Sequence, residues 1–223
     1  MQTYYFFEEM QTLIDGMQNK TILTPDGDYY NASSIRNWKS KMNGFRDYIH
    51  GDMPLDEINL KWCQDYQLYL LHDGYAKNTI GNILSVLKAF VRRMHGEGKM
   101  TYDGFGIRAG GEITTAVFTD IPTIKAMVAL DLGQTAGMGR IRDVYVCQCF
   151  LGLRVADTLK FLANIKAYAK AVNGVALFEV PTNKTGEVVA IPASKIVLAI
   201  CERRNYDFGG KFSQQYYYET IKA

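Results

Sequence analysis

Two cations frame the chemistry this sequence can do. Arg154 stands in Phe150-Leu151-Gly152-Leu153-Arg154-Val155-Ala156-Asp157, where one predicted helix ends at a glycine and the next begins. A guanidinium projecting from such a fixed corner can hold a phosphate by two parallel N–H bonds, and it stays charged at any working pH. Asp157, three positions on, shares its helical face and can brace it. By itself this motif is weak, because an Arg–Asp pair near a helix start is an ordinary surface feature. Lys184 lies in Asn183-Lys184-Thr185-Gly186, a turn signature between two short β-type runs. A lysine at a hairpin tip is commonly solubilising; one that follows a helix–Arg–helix corner is a more particular arrangement.

A third basic feature precedes them. Ile80, Ile83, Leu84, Leu87, Phe90, Val91 and Met94 recur at helical spacing and define one broad buried face. At about 100° per residue, Lys77, Lys88 and Arg92 fall within about 60° of arc on the flank of that face. Such a helix can dock on a core and offer cations to phosphates. A plain solvated face explains the same lysines, so charge alone does not decide. Asn78 and Thr79 add polar side chains at the start of the helix, where backbone N–H groups favour anions.

The elements that must hold these residues fall into two halves. The first is helical. Apolar spacing predicts a helix from Tyr4 to Met17, a second from about Asn31 or Ser33 to Gly51, a third over Leu60–His72 and a fourth from Ala76 to about His95. Gly104, Gly106, Gly110 and Gly111 then crowd ten positions, which reads as an interdomain linker. The second half is expected to hold helices at Ile121–Leu132, Ile141–Leu151 and Val155–Leu162. Strands at Ile165–Val172, Val175–Val180 and Val188–Ile191 follow, turning at Asn173-Gly174 and at Asn183–Gly186. Two helices close the chain, at Ser194–Arg204 and Ser213–Lys222. The expected divisions are 1–102, a linker at 103–114, and 115–223. The fold class is mainly α with a small antiparallel β-meander.

Composition is that of an ordinary globular protein, with 48% hydrophobic and 22% charged residues. Net charge is only +2, so gross charge does not announce a nucleic-acid binder. Its distribution says more: residues 76–100 hold five Lys and Arg against Glu97, whereas residues 1–30 hold five acids against Lys20. Cys63, Cys147, Cys149 and Cys201 form no C-x-x-C pair and read as buried thiols, so no metal held by them is expected. No signal peptide and no apolar run of membrane-spanning length is evident, and a cytoplasmic protein is expected.

The order of these features resembles the tyrosine recombinase (phage integrase) family, nearest to integrases of bacterial mobile elements. Tyr75-Ala76-Lys77-Asn78-Thr79-Ile80 is similar to their N-T-I segment. Leu153-Arg154-Val155-Ala156-Asp157 is similar to G-L-R-x-S-D, with Ala156 in place of the usual Ser. Lys184-Thr185 and Ile191-Pro192 are similar to their K-T and I-P stretch. The resemblance covers nearly the whole chain. It implies a helical core-DNA-binding (SAM-like) domain followed by the front of the catalytic domain. It also implies chemistry through a 3′-phosphotyrosyl intermediate without metal or nucleotide. In it, Arg154 is the first catalytic arginine, Lys184 the general acid for the 5′-oxygen and Asp157 a supporting residue. The implied partner is double-stranded DNA bearing a core-type recombination site, with protomers touching on DNA and a monomer when free.

The same resemblance requires an H-x-x-R-H box and a later nucleophilic tyrosine. The three histidines are His50, His72 and His95, so the box and its arginine are missing. Tyr216-Tyr217-Tyr218 falls on the helix that would precede the box and is read as packing. The expectation is a DNA-binding fragment, not catalytically competent as given. Two alternatives stay open: a helical protein-interaction module, which the acidic first thirty residues favour, and a natural truncated integrase acting as a non-catalytic partner of a full-length one.

Overall fold

A computed structural model of the chain describes all residues except 1, 114, 116–117, 133–135, 173–174, 184–185, 210–212 and 223. It divides into two compact units, Met1–Thr115 and Ala116–Ala223.

The first unit is built from α1 (Phe6–Gln18), α2 (Ala32–Arg46), α3 (Leu60–His72) and α4 (Lys77–Gly96), with a short 3₁₀ turn at Leu55–Glu57. Local side chains start two of these helices. Asn31 accepts the Ser34 N–H at the head of α2, and Asn59 accepts the Trp62 N–H at the head of α3. The head of α1 is capped from a distant loop: the Asp52 carboxylate accepts the N–H groups of Phe7 at 2.8 Å and Glu8 at 3.3 Å. α2 stops at Arg46, earlier than the Gly51 expected, and the chain turns through Asp47–Ile49 so that Ile49 is still buried. The core is aromatic: Phe6 contacts Phe7, Phe45 and Phe90 edge to face, with centroids 5.1–5.3 Å apart. All seven apolar residues of the predicted α4 stripe are buried in it.

Residues 103–112, expected as a linker, lie within the first unit. Ile107 is buried in its core, and Ala109 packs against that core.

The second unit holds α5 (Ile121–Ala129), α6 (Ala136–Leu151), α7 (Val155–Ala163), α9 (Lys195–Arg203) and α10 (Gln214–Lys222) together with a three-stranded antiparallel sheet. The strands are β1 (Ala169–Val172), β2 (Val175–Pro181) and β3 (Val188–Pro192), in that order. Phe178 in the middle strand sits opposite Ala169 and Ile191 and, with Val180, turns into the core. The expected first strand begins late: Ile165–Tyr168 forms a single helical turn, α8, before β1. The turn at Asn173-Gly174 lies outside the described residues.

α6 is the central helix, packed against α5, α7, α9 and α10. It buries a carboxylate. Asp143 is 2% exposed and lies 2.8 Å from Arg203, 2.5 Å from Arg204 and 3.0 Å from Arg142. Three guanidinium groups compensate the lost hydration of one buried anion.

Candidate functional site

α4 presents its predicted polar residues outward. Lys77, Asn78 and Arg92 are exposed, and Thr79 and Lys88 are half-buried beside the apolar face. The residue before the helix is Ala76, which supplies no side-chain cap, so the first N–H groups of α4 gain nothing from it. Three of the nominated residues, Lys77, Asn78 and Lys88, meet the segment after the helix. Lys77 makes an ion pair with the Glu112 carboxylate, which raises the pKa of its ammonium group. Asn78 Oδ1 accepts the Glu112 backbone N–H at 2.7 Å. Lys88 Nζ donates to the Ile107 carbonyl at 2.9 Å. Between them Gly81 lies beneath the Gly110 carbonyl, where an added Cβ would come within 2.6 Å of that oxygen. Arg92 has no ion-pair partner among the described residues. The remaining cations of this region are structural: Arg93 pairs with Glu97, and Lys99 with Glu9 and Glu97.

Sequence reasoning placed α2 but missed its cations. This helix carries Arg36, Lys39, Lys41 and Arg46 and not one carboxylate. Arg36 and Arg46 are exposed, Lys39 and Lys41 half-buried, and none is in an ion pair among the described residues. Arg46 lies over the Phe7 ring at 4.3 Å, which fixes its direction. α2 packs against α4, so two helices of one unit carry unneutralised cations. The signal was present as four basic residues in one acid-free amphipathic helix.

The second cluster surrounds the joint of α6 and α7. Gly152 takes φ +64°, which lets the chain reverse after α6 at little steric cost. Arg154 then stands in extended conformation as the residue before α7, and its carbonyl accepts the Thr158 N–H. Its side chain is 57% exposed, with Nη1 4.0 Å from Asp157 Oδ2. Asp157 is buried, and its Oδ1 accepts the Asn183 backbone N–H at 2.9 Å. Lys160 Nζ donates to Asn183 Oδ1 at 3.2 Å. α7 thus grips the β2–β3 turn at the residue before Lys184, and Arg154 flanks that grip. Lys184 and Thr185 lie outside the described residues.

Tyr217 is buried, donates its hydroxyl to Gln148, and has its pKa pushed up by burial. A hydroxyl so held is packed away from any substrate, whereas Tyr216 and Tyr218 are exposed. Cys63, Cys147 and Cys201 are buried, but Cys149, also expected to be, is exposed because it points away from the α6 packing faces. Among the described residues no group of three or more His, Cys, Asp or Glu is placed to hold a metal, and no helix is long and apolar enough to cross a membrane.

Residues 5–106 match the family model of the phage integrase SAM-like domain. The comparison with curated protein sequences gave no match. Among solved structures, the chain is similar to a lambda integrase tetramer bound to a Holliday junction, at 17% identity and TM-score 0.70, over 98% of this chain and 66% of that one. A lambda integrase dimer bound to a COC′ core site is also similar, at 17% identity and TM-score 0.69, over 99% and 63%. So is the Tn1549 transposon integrase in complex with circular intermediate DNA, at 14% and 0.65, over 93% and 66%. At these identities the likeness is one of fold, and this chain spans just under two thirds of the length of each.

Proposed function

We propose that residues 1–223, of which 5–106 match the phage integrase SAM-like domain, are the DNA-holding portion of a site-specific tyrosine recombinase. The first unit grips duplex DNA through the cationic faces of α4 and α2: Lys77, Lys88 and Arg92 with Asn78 and Thr79, joined by Arg36 and Lys39. The second unit offers Arg154 to the non-bridging oxygens of the scissile phosphate and Lys184 to the departing 5′-oxygen, with Asp157 fixing both. One observation carries the reading: the buried Asp157 carboxylate ties the arginine corner to the turn that bears Lys184.

No histidine follows His95, so these residues alone do not assemble the family's complete cation set. The activity proposed for residues 1–223 by themselves is binding without cleavage, on duplex DNA carrying a core-type site. It is a monomer when free, touches other protomers on DNA and works in the cytoplasm, where the DNA is. The need for the missing groups is quantitative: one transition-state cation is worth several powers of ten in rate.

The test is fluorescence anisotropy with a labelled duplex across a salt series, together with a nicked suicide substrate. Salt-dependent binding without a covalent adduct is expected. Absence of binding at low salt would favour a protein-interaction module instead, and an adduct abolished by Tyr216→Phe or Tyr218→Phe would overturn the non-cleaving assignment.

A further inference from the structure

Lys77, Gly81, Lys88 and Arg92 share one flank of α4, and the chain's own residues 107–112 lie on most of it. The contacts differ in kind. Glu112 sets a carboxylate on Lys77, which is what a DNA phosphate would otherwise do at the head of a helix. Ile107 gives its carbonyl to Lys88. The Gly110 carbonyl rests on Gly81, and Gly111 approaches Asn78 so closely that an added Cβ would come within 2.2 Å of the Asn78 side-chain oxygen. Gly81 stands in the second turn of α4, inside the helix, where glycine costs about 1 kcal/mol relative to alanine. Its position under a carbonyl supplies the reason for it.

The hold is uneven. Ile107 is 4% exposed and anchored in the core, whereas Lys77 and Glu112 are both more than half exposed. Beneath the segment runs a groove of about 200 Å³ lined in part by Gln67, Leu71, Leu84 and Arg108, so residues 108–112 are not flush with the helices. An exposed ion pair and two backbone approaches are a light closure.

We propose that residues 108–112 are an internal competitor for the DNA backbone, in which Glu112 occupies Lys77 and Gly110 covers Gly81 until duplex DNA displaces them about the Ile107 anchor. The proposal rests on the reading of α4 as a DNA face. It assigns Glu112 a role opposite to that of its neighbours: it lowers affinity and makes DNA entry depend on local charge density, so that weakly charged polyanions fail to open the segment.

Affinity for a labelled duplex of arbitrary sequence at low salt tests it, with Glu112→Gln, Gly81→Ala, Lys77→Ala and the Lys77→Ala/Glu112→Gln pair. Glu112→Gln is expected to bind about three- to tenfold tighter. Gly81→Ala, which changes no charge, lifts the segment by its Cβ and is expected to tighten binding too, with faster hydrogen exchange at the Glu112 amide. In the Lys77→Ala background Glu112→Gln should gain nothing. A gain that persists there is long-range repulsion and overturns the proposal. If Glu112→Gln and Gly81→Ala, both folded by thermal melt, bind like the parent while loss of Lys77, Lys88 and Arg92 weakens binding, the competitor is refuted and the DNA face stands. If that triple substitution also changes nothing, the DNA face fails and the competitor with it.

Discussion

The backbone N–H of Asn183 donates to the buried Asp157 carboxylate at 2.9 Å, tying α7 to the turn between β2 and β3. The other oxygen of that carboxylate faces Arg154. Asp157→Ala is expected to leave a donor unsatisfied and to destabilise the second unit by about 1–3 kcal/mol, with faster hydrogen exchange at the Asn183 amide. Asp157→Asn keeps an acceptor and should lose less. Equal denaturation midpoints for the parent and the alanine variant would contradict this bond.

Asp143 should be the most sensitive polar position in the second unit. Its removal leaves Arg142, Arg203 and Arg204 crowded around no anion. Breaking a buried charge cluster on one side costs about 3–5 kcal/mol. Asp143→Ala is therefore expected to lower the urea midpoint far more than any single arginine substitution among the three. A drop under about 1 kcal/mol would mean that water already solvates the cluster.

On DNA, the α4 cations should show in the salt dependence. Each phosphate contact contributes about 0.9 to the slope of log affinity against log salt. Replacing Lys77, Lys88 and Arg92 with alanine is expected to flatten the slope by about 2 to 3 units and to weaken binding at every sequence tested alike. Replacing Arg36 and Lys39 should remove a further 1 to 2 units if α2 lies on the same duplex. An unchanged slope in the second variant would confine the DNA face to α4.

Alkaline stability should be limited by buried phenols. Burial pushes Tyr102 up from 10.0 to about 12, and it raises Tyr66 and Tyr217 as well. A folded-state pKa above the unfolded value means that the stabilisation is whole below pH 10.0 and is lost as pH climbs through the folded value. Unfolding free energy is expected to hold level up to about pH 10 and to fall between about 10 and 12. Tyr102→Phe should soften that fall in the first unit. A tyrosinate absorbance titration with every phenol ionising near 10.0 would argue against these burials.

What the sequence disclosed depended on how one-sided each element is. α3 was legible to the residue, and all seven apolar positions of α4 were placed correctly, because one face meets the core and the other meets solvent. α6 was expected only from Ile141. It is covered by four helices, so Ile141, Val144, Val146 and Cys147 point in several directions and blur the period. Ile165–Tyr168 reads as strand by its alternation, yet tertiary packing winds it into a turn of helix. The corner at Arg154 was visible in Gly152 and Asp157, whereas the bond from Asp157 to Asn183 joins residues far apart in sequence and leaves no local trace. The glycines at 104–111 suggested slack chain. Their partner glycine at 81, which makes the docking possible, carries no signal until both are seen together.

That docking also fixes a length. Lys77 and Lys88 lie eleven positions apart on α4, a rise of about 16 Å along the axis. Ile107 and Glu112 are five positions apart, and five residues of fully extended chain reach only about 17–18 Å. The lysine side chains bridge part of that span, so the segment over α4 has limited slack: deleting one residue between 107 and 112 is expected to draw Glu112 away from Lys77, and inserting one to shift the Gly110 carbonyl off Gly81. At the exposed Arg108, sequence can vary more freely than length can.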